Sequence, residues 1–156
     1  MKIKVGNLFD SKDMFIFVTA NSYITTKGDL VMGRGAALEL ATRYPDLKSE
    51  FGSIIKEWCG HLGVYGTLVI PVYNEHSTLD NRQTYGIFQV KKHFKNLAEL
   101  DLIKISADML NKNPLTISMN FPGIGNGGLK AKDVLPIIEF LDDNVTVYVR
   151  DLDDLS

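Results

Sequence analysis

The chain has 156 residues, with 17 Lys and Arg against 19 Asp and Glu, a formal charge of −2, and 45% of its residues are apolar. A chain of this length suits one domain over residues 1–156, with a radius of gyration of roughly 15 Å and about 69% of the unfolded surface buried on folding. This composition excludes extensive disorder, and the slight acidity argues against a protein that holds nucleic acid by total charge.

One cysteine, Cys59, leaves no internal disulfide and no cysteine-built zinc cage. Beside Trp58 in an apolar helical stretch, it reads as a core thiol. The opening segment MKIKVGNLFD lacks the apolar run of a signal peptide, and no stretch approaches the ~18 apolar residues of a membrane span. The protein is expected in the reducing cytoplasm, with no membrane partner, as a monomer. Asn144-Val145-Thr146 then matches a glycosylation sequon by chance.

In chain order, Ile3 to Val5 is a short strand. Met14 to Ala20 (MFIFVTA) is nearly continuously apolar, as in a strand buried on both faces. Ala36, Ala37, Leu40, Ala41 and Tyr44 recur at helical spacing. Pro45 begins a second helix with the stripe Leu47, Phe51, Ile54, Ile55 and Trp58. Strands follow at Thr67 to Val72 and Tyr85 to Val90, rich in β-branched and aromatic residues. Leu100, Ile103, Ala107 and Leu110 stripe a third helix, with Asn96 as its cap. Leu115 to Met119 is a strand, Val134, Ile137, Ile138 and Leu141 stripe a fourth helix, and Val145 to Val149 is the last strand. The alternation in the second half predicts an α/β fold with a largely parallel sheet covered by helices on both faces. Ligands of such sheets sit outside the carboxyl ends of the strands.

Two glycine-rich loops lead into helices: Met32-Gly33-Arg34-Gly35-Ala36-Ala37, and Pro122-Gly123-Ile124-Gly125-Asn126-Gly127-Gly128-Leu129. Each is either a tight turn or a phosphate cradle. Glycine lets backbone approach a ligand closely, and the following helix start offers free N–H groups and a positive dipole end. Their occurrence as a pair favours the cradle, closing on a diphosphate from both sides. The second loop also spells G-x-G-x-x-G, but only one strand follows it, so a nicotinamide enzyme has no room for its second half. Its GxxG does not make a KH module on an acidic chain with this βα arrangement. Walker A and G-x-S-x-G motifs are absent.

His61, His76, His93 and Cys59 show no metal-ligand spacing, so no metal and no cofactor is expected. Asn21 ends the buried strand and is either a turn residue or a polar group at the mouth of a site. Lys91, Lys92 and His93 end strand 85–90, as a solvated cluster or as an anion clamp holding a nucleophilic lysine. Asn7 follows the first strand, again as a turn residue or as a reader of a base edge.

Together, GNLFD, VTANSYI, MGRGAALELATRYPDL, IFQVKKHF and PGIGNGGLKAKDV resemble the macrodomain family over residues 3 to 149. The similarity is greatest to the branch with DNA-ADP-ribose-removing antitoxin macrodomains and the human terminal ADP-ribose glycohydrolase. The resemblance implies a three-layer fold, with a six-stranded mixed, largely parallel sheet between helices. It implies an ADP-ribose site at Asn7, Leu8, Ala20, Asn21, Met32, Gly33, Gly35, Ala36, Gly123, Ile124, Gly125, Asn126, Gly127, Gly128 and Leu129. Lys91 falls on the branch's catalytic lysine, with Asn21 holding the distal ribose or orienting water. Such a lysine attacks the anomeric carbon or stabilises the departing group, and as a nucleophile it needs a pKa below the ordinary lysine value, through desolvation or a neighbouring cation such as Lys92.

Three departures stand out. Asn7 replaces the family's usual Asp, Val18 replaces the first Asn of an N-x-x-N pair, and Lys130 stands where the branch often has a catalytic Asp. The implied function is hydrolysis of an ADP-ribosyl linkage on protein or DNA, with nucleic acid involved only as such a substrate. The alternatives are a non-catalytic ADP-ribose reader and a phosphatase acting on ADP-ribose 1″-phosphate.

Overall fold

The computed structural model describes residues 1–72, 83–111 and 113–156; His76 lies outside them. The strands are Lys2–Val5 (β1), Phe15–Ala20 (β2), Thr67–Pro71 (β3), Thr84–Gln89 (β4), Ile117–Asn120 (β5) and Val145–Val149 (β6). The α-helices are Gly35–Arg43 (α1), Leu47–Trp58 (α2), Leu100–Leu110 (α3) and Ala131–Ile138 (α4). They form one six-stranded sheet in the order β1-β6-β5-β2-β4-β3. All neighbours are parallel except β3 and β4, which run antiparallel. The expected mixed, largely parallel sheet between helices is the fold.

Period-two alternation explains why β2 reads as continuously apolar. Ile16, Val18 and Ala20 face a cluster containing Leu40, Ala41, Leu47, Phe51 and Ile55 of α1 and α2. Phe17 faces the opposite cluster, with Ile103 and Ala107 of α3 and Val134 and Ile138 of α4. β4 divides the same way, Tyr85 and Ile87 to one side and Phe88 to the other. Each layer of helices therefore buries one parity of each central strand.

Several boundaries differ from the sequence expectation, for local reasons. Pro45 lies in the turn between α1 and α2, and Asp46 is the residue that caps α2. Trp58 is 73% exposed, because at the last position of α2 its ring has run past the layer that Ile55 still packs into. Cys59 is half-buried at the margin of the core rather than within it. The helix expected after Asn96 starts at Leu100, with Glu99 as N-cap. β5 begins at Ile117 and not Leu115, since the Leu115 N–H goes to Asn113 Oδ1 and its carbonyl accepts from Asn144 Nδ2.

One close approach ties α2 to the loop after β2. A Cβ on Gly52 would stand 2.0 Å from the Gly28 carbonyl oxygen, so only glycine lets the helix come down on that loop. No described helix is long and apolar enough to cross a membrane.

Candidate functional site

A cavity of about 770 Å³ opens at the carboxyl ends of the parallel strands. Every parallel strand delivers residues to it: Asn7 and Leu8 follow β1, Ala20 and Asn21 end β2, Lys91 follows β4, Asn120 ends β5, and Arg150 follows β6. Its size lies within the ~300–1,000 Å³ usual for small-molecule sites.

Both glycine loops line the cavity. The first contributes Met32, Gly33, Gly35 and Ala36; the second contributes Gly123, Ile124, Gly125, Asn126 and Gly127. They approach closely, for a Cβ on Gly35 would stand 3.8 Å from Asn126 Nδ2. Gly35 at φ +58 opens α1 and Gly125 at φ +64 opens a 3-10 turn over Gly125–Gly127, both in left-handed backbone that favours glycine. α1 begins at Gly35, so the N–H groups of Gly35, Ala36 and Ala37 have no intrahelical acceptor, and the positive dipole end sits on the cavity wall. Gly128 and Leu129, expected in the site, lie outside the lining. Gly128, at φ +75, packs against Leu97, and Leu129 joins the core beneath the loop.

Both expected asparagines are tied to their own turns. Asn7 Oδ1 accepts from the Phe9 N–H at 2.9 Å, capping a short 3-10 turn. Asn21 is 6% exposed; its Oδ1 accepts from the Tyr23 N–H at 2.9 Å and its Nδ2 donates to the Val31 carbonyl at 3.0 Å. One N–H of the Asn21 amide is left for another acceptor. Asn21 thus closes its own turn and also lines the cavity.

Lys91 is half-buried, and its pKa lies below the ordinary lysine value, first because burial disfavours the charged form and second because the Arg34 guanidinium repels it. The neighbouring cation is therefore Arg34 and not Lys92. Arg34, Lys91, Lys95 and Arg150 line the cavity against two carboxylates, Glu39 and Asp154, giving 4 − 2 = +2 at the site of a chain whose formal charge is −2. Glu39 is itself shared by Arg43 at 3.4 Å and Arg150 at 3.5 Å. The field at the cavity favours an anion although the whole chain does not.

Sequence reasoning missed several lining residues. Asn120 bridges the splayed ends of β2 and β5: its Oδ1 accepts from the Thr19 N–H and its Nδ2 donates to Thr19 Oγ1, both at 3.0 Å. The strand-end rule that singled out Asn21 applies equally to Asn120. Arg34 lay in plain view inside the first glycine motif. Phe94, Lys95, Asn96 and Leu97 line the cavity from the loop between β4 and α3, which only the tertiary fold brings there. Among the described residues no group of three or more His, Cys, Asp or Glu is gathered to hold a metal.

No protein-family model matches the sequence, and no curated protein sequence does. Solved structures do match. Thermosipho africanus DarTG, solved in complex with ADP-ribose, superposes with TM-score 0.74 at 22% identity over 97% of this chain. This chain spans only 42% of that DarTG chain. The macrodomain of Mycobacterium tuberculosis DarG gives TM-score 0.70 at 22% identity, covering 94% of this chain and 95% of its own. The macrodomain of Thermus aquaticus DarG gives 0.71 at 22% identity, covering 96% and 97%. The chain has the macrodomain fold.

Proposed function

We propose that the cavity binds ADP-ribose and that the protein hydrolyses an ADP-ribosyl linkage on a modified macromolecule. The observation that carries this reading is the pair of glycine loops lining one cationic cavity, with a half-buried lysine among its lining residues. The diphosphate lies between loops 33–36 and 123–127, meeting the start of α1. Adenine lies toward Asn7 and Leu8, and the distal ribose toward Asn21 and Lys91. That one of the fold's neighbours was solved with ADP-ribose supports the choice of ligand.

In the reaction, the neutral amine of Lys91 attacks the anomeric carbon as the glycosidic bond breaks, and the leaving group takes up a proton. Water then attacks the same carbon, restores the amine and releases ADP-ribose. The sum is one water consumed per linkage cleaved. Burial and Arg34 enlarge the neutral fraction of Lys91 at a given pH, which is what a nucleophilic lysine needs. In this reading the remaining N–H of Asn21 holds a hydroxyl of the distal ribose.

A non-catalytic reader is the second reading, favoured by Lys130. Where the branch often has a catalytic Asp, this residue is an exposed lysine outside the cavity lining, at the N-cap of α4. Incubation with ADP-ribosylated DNA, ADP-ribosylated protein and ADP-ribose 1″-phosphate, side by side, decides. Release of ADP-ribose from either macromolecule supports the hydrolase, and turnover of the phosphate alone makes the protein a phosphatase. Binding without turnover makes it a reader, and no binding ends the proposal.

A further inference from the structure

Lys91 lies two residues past β4, where the sheet has stopped supplying partners. β2 ends at Ala20, paired with Gln89, and β3 begins at Thr67, paired with Phe88. The backbone around this point must be held by something else. It includes Leu62 at φ +63, a non-glycine residue in the left-handed region, in a loop that also turns at Gly60 and Gly66.

The side chain of Gln89 sits in the middle of this region, with 0% exposure. Its Oε1 accepts from the Tyr65 N–H at 2.8 Å and the Gly66 N–H at 3.2 Å. Its Nε2 donates toward the Gly63 carbonyl at 3.0 Å, Ser22 Oγ at 3.2 Å and the Lys91 carbonyl at 3.3 Å. Ser22 continues the chain, its N–H donating to the Lys92 carbonyl at 2.9 Å and its carbonyl accepting from the Leu62 N–H at 2.8 Å. Tyr65 closes it, its hydroxyl donating to the Asn21 carbonyl at 2.8 Å. One buried amide therefore joins the loop bearing Asn21, the strained loop 60–66 and the backbone of Lys91. A glutamine fits this place because it offers two donors and an acceptor in one plane; a carboxylate would present an acceptor to two carbonyls.

We propose that Gln89 is the positioning residue of Lys91, fixing through its amide both the lysine backbone and the Asn21 loop opposite. This rests on the reading of Lys91 as the reacting group. The role differs from that of a lining residue, because Gln89 is not among the residues of the cavity wall.

The test is Gln89→Glu, with Ser22→Ala as a milder variant that removes one acceptor of the same amide. Three quantities are read: Kd for ADP-ribose, kcat and KM on whichever ADP-ribosylated substrate the wild type cleaves, and labelling of Lys91 relative to Lys92 by an amine-acylating reagent, followed by peptide mass spectrometry. In Gln89→Glu, kcat is expected to fall about tenfold or more while Kd and KM stay within about twofold. The Lys91-to-Lys92 labelling ratio at neutral pH is expected to fall about threefold, because a less confined lysine regains solvent and its proton. Unchanged kcat and labelling in a folded Gln89→Glu protein overturn the proposal. If that variant does not fold, Ser22→Ala decides by the same ratios: a reduced Lys91 labelling ratio supports the proposal and an unchanged one overturns it. A wild type inert on every linkage refutes the hydrolase reading instead, and the labelling ratio still decides the positioning role.

Discussion

Gly33 offers a direct test of where the anion sits. It lines the cavity, is exposed, and a Cβ built on it meets nothing within 4 Å, so a side chain can be added there without forcing the backbone. Gly33→Glu puts a carboxylate on the wall assigned to the diphosphate. At ~6 Å and an effective dielectric of ~40, between that of a protein surface and water, each phosphate charge is opposed by about 1.4 kcal/mol. Two such charges cost about 3 kcal/mol, or ~100-fold in affinity. Gly33→Ala, which adds bulk without charge, should bind within about twofold of wild type. Titration calorimetry with ADP-ribose reads all three proteins, and the penalty should shrink in ~1 M salt, where the Debye length falls to about 3 Å. Wild-type affinity in Gly33→Glu at low salt, with a native circular-dichroism spectrum, would show that the phosphates do not lie against loop 33–36.

Lys91→Ala should abolish turnover while leaving ADP-ribose affinity within about tenfold, ~1.4 kcal/mol, and Lys92→Ala should do far less, since Lys92 is exposed and outside the cavity lining. The pH profile separates the two roles of Lys91: as a nucleophile its rate rises with pH through a pKa below the ordinary lysine value, whereas as an ammonium stabilising the leaving group its rate falls over the same interval. Arg34→Gln removes the like charge, so the Lys91 pKa should rise and the ascending limb move to higher pH; an unmoved limb in an active variant would remove Arg34 as a cause. Gly52→Ala should lower thermal stability, because its methyl would meet the Gly28 carbonyl at 2.0 Å and overpacking of this kind typically costs about 1–3 kcal/mol. An unchanged melting temperature would mean that the loop yields freely.

The strand and helix content was legible because the central strands alternate two apolar faces and the helices carry single stripes. The sheet order was not, since nothing local to β1 says that it pairs with the last strand. At the site, residues named by local pattern (Asn7, Asn21, Lys91 and the glycines) fall around one cavity. Residues whose role depends on a distant neighbour escaped. Arg34 matters through its field at Lys91, Asn120 through its bridge to Thr19, and Gln89 through a network spanning residues 22 to 91. Gln89 in particular looks from sequence like an ordinary polar residue in a strand, and only its complete burial marks it. Gly128 and Leu129 continue the glycine motif in sequence but fall outside the cavity lining, Gly128 against Leu97 and Leu129 partly buried against the core.

The sheet order also bears on how the chain folds as it is made. β1 is made before the other five strands, yet among the described strands it pairs only with β6, the latest of the six. β2, β4 and β3 can assemble with α1 and α2 beforehand, burying the cluster around Phe51. β5 and then the second glycine loop come later, and β1 waits unpaired until β6 follows them. Closure of a contact this distant in sequence carries a large loop entropy, so docking of β1 onto β6 is expected as a late event in folding. The cavity takes lining residues from the loops after both β1 and β6, so competence to bind is expected only once β6 has formed and received β1.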